Sequence, residues 1–263
     1  MTGARSGRWY IAISAVIIVA VMILVEPIAQ DPAYHLFADA RRMLGVPNFW
    51  NVISNLPFLI VGLYGLIYVT RYPDVVFDAA MRWPWRVFFA GTALTAFGSG
   101  YFHLAPANET LLWDRLTMTI GFAGFLAIVI GEYLSVRAAR MLLLPLLIIG
   151  VASVVYWHLT EAAGSGDLRP YAIVQFLPIL LIPAILIMHR QVSDLTNAIW
   201  ILIGFYVVAK LLEHFDAGVY TITGVMSGHA LKHVVAALAP AVLIVALRRR
   251  REERRNPVNT DPR

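Results

Sequence analysis

Long apolar runs restrict this chain to the few folds that a lipid bilayer permits. Eight such runs occur, at about 9–26, 50–70, 85–104, 112–133, 140–159, 171–188, 197–213 and 229–247. Crossing a bilayer as a helix takes roughly 20 apolar residues. Inside lipid every backbone polar group needs a partner within the segment, so the runs are interpreted as helices. Only 14% of the residues are charged, against about 25% in soluble domains. The sequence therefore predicts an all-α, multi-pass transmembrane helical bundle.

The runs divide the chain into four parts. We expect an N-terminal transmembrane helix at 1–26, a non-cytoplasmic amphipathic connection at 27–48, a seven-helix core at 49–247 and a basic cytoplasmic tail at 248–263. The first run also fits a cleaved signal peptide. Its apolar stretch is longer than a signal peptide usually has and no A-x-A site follows cleanly, so a retained helix is favoured.

The connection between the first two runs reads DPAYHLFADARRMLGVPNFW and mixes apolar with charged residues. Such a mixture favours a short amphipathic helix lying at the membrane surface. Pro47 is expected to end that helix, and Asn48 is expected to cap the next one.

The arginines predict the orientation of the bundle, because most of them flank apolar runs on one side. They are Arg5, Arg8, Arg71, Arg82, Arg86, Arg137, Arg140, Arg190 and the C-terminal cluster RRRREERRNP. The positive-inside rule then places both termini in the cytoplasm. The net charge of +5 is explained by this flanking pattern, so we expect no nucleic-acid partner, and the C-terminal cluster is expected to lie beside anionic lipids.

Ionisable residues gather at the ends of three runs. Ser99 and His103 lie four residues apart at the end of the third run, and His229 and His233 repeat that spacing at the start of the eighth. On a helix this spacing places both side chains on one face. Asp114 opens the fourth run. In the predicted topology all five residues lie at one membrane level, near the non-cytoplasmic face.

Three neutral imidazoles that leave a fourth position open are typical of a catalytic zinc site. The chain has no cysteine, so any metal must be bound by His, Asp or Glu. We expect His103, His229 and His233 to be ligands of Zn2+, because intramembrane ionisable residues are costly and usually functional. Asp114 is a candidate general base, and Ser99 is a candidate hydrogen-bond donor to a developing oxyanion.

With these residues in place, the sequence resembles the alkaline ceramidase family, within the CREST group of membrane hydrolases that also holds the progestin and adiponectin receptors. The matching pieces are NFWNVISN (48–55), GSGYFH (98–103), LLWDRLTM (111–118) and SGHALKH (227–233). The resemblance implies a seven-helix core, zinc bound by the three histidines, assistance from Ser99 and Asp114, and hydrolysis of a ceramide amide to a sphingoid base and a fatty acid.

One departure and two alternatives accompany this resemblance. Asn48 stands where eukaryotic members have an acidic residue of a calcium site, and Asp31 and Asp39 lie in a differently built segment, so the sequence does not predict calcium. An N-acyl lipid other than ceramide would also suit the site. A lipid-sensing, receptor-like protein with a structural zinc is the main alternative. A transporter is disfavoured because its polar residues would be spread through the depth of the bundle.

Overall fold

The computed structural model describes residues 2–189 and 193–256. That part of the chain consists of α-helices joined by turns and short 3-10 segments, without a β-strand, so the prediction of an all-α bundle is confirmed. Arg190 and the residues after Asn256 lie outside the described residues.

Every apolar run forms helix, and one further helix, α9 at Asp216–Thr223, lies between the seventh and eighth runs. They are α1 (Thr2–Leu24), α2 (Phe49–Ile53), α3 (Leu56–Arg71), α4 (Arg82–Leu104), α5 (Asn108–Tyr133), α6 (Val136–Ala162), α7 (Arg169–Met188), α8 (Thr196–His214), α9 (Asp216–Thr223) and α10 (Gly228–Arg255). The second run forms two helices, α2 and α3, which together span Phe49–Arg71.

Six segments within the described residues are long and apolar enough to cross a membrane: α2 with α3, α5, α6, α7, α8 and α10. The protein is therefore an integral membrane protein. α4 has 23 residues and packs between α3 and α5. In α1 the apolar part, Ala12–Leu24, is shorter, and the helix packs against α7. That α1 crosses the membrane stays a prediction.

Close packing of α4 against α5 forms the centre of the bundle. A Cβ atom at Gly91 would collide with the backbone at Gly121, and one at Gly124 would collide with the backbone at Phe88. Glycine at these positions lets the two helix backbones approach, which is how helices associate where lipid removes the hydrophobic driving force. Large buried side chains such as Trp85 and Phe89 fill the core on either side.

The connection at 27–48 differs from the predicted amphipathic helix. It holds only a 3-10 turn, Pro32–His35, and an isolated bridge between Met43 and Val46. Asn48 does stand at the start of α2, but its side chain makes no capping bond there. The prediction of a helix was wrong. Polar groups of this segment form hydrogen bonds with the bundle helices, and its backbone does not form the bonds of an α-helix.

The C-terminal basic cluster also differs from the predicted tail, because α10 continues through it to Arg255. Arg250 is buried and pairs with Glu132 of α5 at 3.0 Å and with Asp194 ahead of α8. From His229 to Arg250 the helix rises roughly 31 Å at 1.5 Å per residue, about the thickness of the hydrocarbon core. The bundle therefore has a polar cluster at each end.

We predict that Arg250→Met lowers the free energy of unfolding by about 3 kcal/mol, because it leaves the buried Glu132 carboxylate without its partner. Unfolding of the detergent-solubilised protein by added SDS measures this. The exposed neighbour Arg249→Met is the matched control. Adding Glu132→Gln to Arg250→Met should restore part of the loss, and equal effects of the two arginine substitutions would contradict the buried-pair argument.

Candidate metal centre

The break between α2 and α3 shapes one side of the histidine centre. Pro57 stands in the first turn of α3 and has no N–H for the carbonyl four residues earlier, so the helix stops and restarts there. The Asn51 carbonyl, released from a regular helix bond, accepts from Ser54 Oγ at 3.3 Å and from Asn55 Nδ2 at 2.7 Å. The break therefore leaves the Ser54 side chain buried and facing α10.

The end of α4 is held by the connection that precedes α2. Asn48 has left-handed backbone angles, φ 46° and ψ 42°, which asparagine tolerates better than most residues. Its Nδ2 donates to the carbonyl of His103 at 2.9 Å. That carbonyl lies in the last turn of α4 and has no partner inside the helix, so the bond fixes the end that carries His103.

The start of α10 is held by Asp216 of α9. One oxygen of this carboxylate, Oδ1, accepts from the backbone N–H of His229 at 2.7 Å, and Oδ2 accepts from the N–H of Ala38 at 2.9 Å. Ser227 caps the same helix through its hydroxyl, which accepts from Ala230 N. A carboxylate at a helix N-terminus is favoured by the unpaired N–H groups and the dipole. Asp216 thus ties the histidine-bearing end of α10 to the connection at 27–48.

These supports bring the three predicted histidines together. One ligand nitrogen from each of His103, His229 and His233 lies within 4.8 Å of the other two. The ring centroids are 4.9 to 5.1 Å apart, and all three side chains are buried. The sequence spacing and the depth argument predicted this convergence.

The hydrogen bonds around the imidazoles fit a metal ion. Ser54 Oγ lies 2.9 Å from His233 Nδ1. Because the Ser54 hydroxyl donates to Asn51 O, it accepts from Nδ1–H, which leaves Nε2 of His233 as a lone-pair donor. Nδ1 of His103 and Nε2 of His229 are buried and have no hydrogen-bond partner among the described residues. Three imidazole nitrogens that face each other in this way form a donor set that suits Zn2+.

Phe37 covers the histidines from the side of the connection. Its ring centroid lies 4.7 Å from that of His103 and 4.6 Å from that of His229. The neighbouring backbone is held in place by Asp39, whose carboxylate accepts from the Arg41 guanidinium at 2.8 Å. That bond lowers the pKa of the Asp39 carboxyl, so the group stays ionised. Phe37 was missed in the sequence because a lone aromatic residue in a loop carries no spacing signal.

A cavity of about 390 Å³ opens beside the histidines. Ser99, Asp114 and His233 lie on its wall, and both Ser99 and Asp114 are buried. Farther from the histidines its lining is apolar, with Phe88, Phe122, Phe125, Ile179, Ile182, Pro183, Leu202 and Ile203. The structure therefore brings all five residues predicted for the site to one place, with apolar space running from it into the bundle.

The same wall carries charged residues whose place the sequence left open. Glu213 lines the cavity and accepts hydrogen bonds from Lys210 at 2.6 Å and from Lys232. Arg115 lies next along α5 from Asp114 and also lines the cavity. Arg115 packs against Trp157 of α6, which is fully buried.

Comparison with known proteins identifies the family. A family model described as Ceramidase matches residues 45–261. The chain belongs to the ceramidase family. A search of the curated proteins found no match. Membership of the ceramidase family supports a membrane hydrolase with a lipid substrate, and the histidine cluster is compatible with a zinc ion.

We predict that Ser54→Ala weakens zinc binding by about 10- to 100-fold, because an outer-shell partner that fixes the imidazole tautomer typically contributes that much. Competition with a chelator of known zinc affinity measures the change. Ser153→Ala is the matched control, since that buried hydroxyl bonds only within α6, to Gly150 O. Equal zinc affinity in the two variants would show that Ser54 does not set the ligand.

Proposed function

We propose that this protein is a zinc-dependent intramembrane hydrolase that cleaves the amide bond of an N-acyl lipid such as ceramide, giving a sphingoid base and a fatty acid. One observation supports the proposal above the others: three buried histidines converge, and one of them, His233, lines the polar end of a cavity whose remaining wall is mostly apolar. Membership of the ceramidase family supports the same chemistry.

His103, His229 and His233 are the residues that would hold the zinc ion. A zinc ion in such a site polarises a carbonyl and makes water a better nucleophile at neutral pH. The protein's own contribution is to hold the three imidazoles neutral and correctly turned in a place shielded from bulk water. Ser54 orients His233, and Phe37 shields His103 and His229.

Asp114 and Ser99 are proposed to assist the reaction. The Asp114 carboxylate takes the proton from the attacking water and passes it to the nitrogen of the leaving amine. The Ser99 hydroxyl donates to the carbonyl oxygen as negative charge develops there. Both side chains line the cavity next to His233, so an amide placed at the histidines is within reach of both.

The apolar part of the cavity suits the acyl chain. Along α5 it reaches from Asp114 to Phe125, a rise of roughly 16 Å. Phe176 of α7 lines the cavity and is 47% exposed on the outside of the bundle. α7 and α8 contact each other sparsely along their length. We propose that the lipid enters sideways from the bilayer between these helices and lays its chain along α4 and α5.

The orientation follows the arginine pattern and stays a proposal. With both termini in the cytoplasm, the histidine centre lies near the non-cytoplasmic face and the Arg250 pair near the cytoplasmic face. The division into a helix at 1–26, a connection at 27–48, a hydrolase core at 49–247 and a tail at 248–263 is proposed on the same basis, with the start of the tail belonging to α10.

Asp114→Asn is expected to retain zinc but to lower amide hydrolysis by about 10²- to 10⁴-fold, the usual contribution of a positioned acid or base. Fatty acid released from an N-acyl lipid, together with metal analysis of the same sample, measures both properties. Glu109→Gln, an exposed change on the same helix, is the control. If wild type and Asp114→Asn release fatty acid equally slowly while both hold zinc, the lipid-sensing alternative is favoured.

His229→Ala is expected to lose zinc and activity together, since it removes one of three ligands from a site with no spare donor of the same kind among the residues described around it. His214→Ala is a suitable control because that imidazole lies at the end of α8, outside the cluster. Full zinc content in purified His229→Ala protein would refute the ligand assignment.

A further inference from the structure

Arg115 is a buried cation with a donor left over. The residue is 5% exposed and lies one position after Asp114 on α5. Its guanidinium carbon lies 4.0 Å from the ring centroid of Trp157 and 4.7 Å from that of Tyr171. Nη2 donates to Gln30 Oε1 at 2.6 Å, whereas Nη1 is buried and has no partner among the described residues.

The surroundings of Arg115 give its guanidinium no direct counterion. No ion pair to it occurs within the two described stretches of the chain, and its one hydrogen-bond acceptor is a neutral amide. Burying an arginine without a counterion is costly, and stacking on aromatic faces offsets only part of that cost. The free arm leaves a donor for a ligand.

The charge balance of the cavity points the same way. Its wall holds three cationic side chains, Arg115, Lys210 and Lys232, against two carboxylates, Asp114 and Glu213, so 3 − 2 leaves a formal excess of +1. Glu213 is shared by both lysines. A metal ion at the histidines adds further positive charge. A neutral lipid amide would leave this excess unbalanced, whereas an anionic headgroup would neutralise it.

The position of Arg115 specifies which part of a lipid it would meet. The acyl chain occupies the apolar space, and the amide lies at His233 and Asp114. The guanidinium belongs to the residue next to Asp114 on α5, at the polar end of the cavity, and Trp157 of α6 and Tyr171 of α7 flank it. It is therefore placed to meet the substituent on the amide nitrogen.

We propose that the substrate of this enzyme carries a carboxylate on the amine half of its amide, so that the preferred class is the N-acyl amino acids, with Arg115 as the residue that binds the carboxylate. The inference rests on the proposed function, the cleavage of an N-acyl lipid at its amide bond, and replaces ceramide with an N-acyl amino acid as the preferred substrate. Water adds to the carbonyl carbon, the C–N bond breaks, and the proton goes to the departing nitrogen. The products are a fatty acid and a free amino acid.

The test compares N-palmitoylglycine with N-palmitoylglycinamide, which has the same skeleton but no charge, using the purified zinc-loaded full chain in detergent micelles. We expect kcat/KM for the carboxylate to exceed that for the amide by about tenfold or more, since charge-assisted bonds from a guanidinium fork are the strong class. A wild-type protein that prefers the neutral substrate overturns the inference while leaving an amide hydrolase in place. This comparison requires no variant.

Arg115→Gln should bring the ratio of the two kcat/KM values close to one. Arg115→Lys keeps the charge but loses the fork and should give an intermediate ratio. Arg140→Gln, an exposed arginine on α6, is the matched control. An unchanged ratio in folded Arg115→Gln protein that holds its zinc contradicts the assignment.

The fatty acid product also carries a carboxylate. A binding experiment distinguishes whether Arg115 binds the carboxylate of the substrate headgroup or that of the fatty acid. In the Asp114→Asn background, binding of N-palmitoylglycine and of palmitate is measured with and without Arg115→Gln. We expect N-palmitoylglycine to lose about tenfold or more in affinity and palmitate to lose much less. A loss confined to palmitate overturns the headgroup assignment. If wild type cleaves ceramide but neither glycine compound, the inference fails and the proposed function stands. If it cleaves none of the three amides, the proposed function fails, and this binding comparison still decides the role of Arg115.

Discussion

The histidine centre depends on holding together two helices that contact each other only slightly. α4 carries His103 and packs mainly on α5 and α3, whereas α10 carries His229 and His233 and packs mainly on α8. Their site ends are instead joined by polar bonds. The Asn48 side chain donates to the free carbonyl of His103, and the Asp216 carboxylate accepts from the free N–H of His229. Backbone groups that a helix end leaves unsatisfied therefore determine where the imidazoles meet.

The connection at 27–48 links the histidine-bearing ends of α4 and α10. Ala38 donates to Asp216, Phe37 contacts two of the histidines, and Asn48 lies at the end of the segment. In a regular amphipathic helix at the membrane surface, the backbone groups would bond to one another and would not be available to the bundle. An irregular segment has donors and acceptors to offer, and irregular backbone is tolerated at membrane depth only where protein covers it.

Much of the bundle was predictable from the sequence, because length and apolarity alone identify membrane helices. The five residues of the site followed from helix direction: ends that share one side of the membrane share one depth. What could not be predicted are contacts between segments far apart in the chain. The role of Ser54 depends on where α10 lies. The sequence neighbours of Arg250 are those of a solvated basic tail, although its side chain is buried. Pairing with Glu132 across the bundle changes its environment completely, and no local pattern encodes that partner.

Arg115 shows the same limit within the site itself. In LLWDRLTM it reads as the neighbour of a candidate catalytic aspartate, and only packing against Trp157 and Tyr171 reveals that it is buried. Consecutive residues on a helix point about 100° apart, so Asp114 and Arg115 face different parts of one cavity. Under the proposed function, Asp114 would then act on the amide, while Arg115 selects the substituent on the amide nitrogen. Because the two roles fall on separate side chains, a change at Arg115 can alter the preferred lipid without disturbing the groups that cleave it.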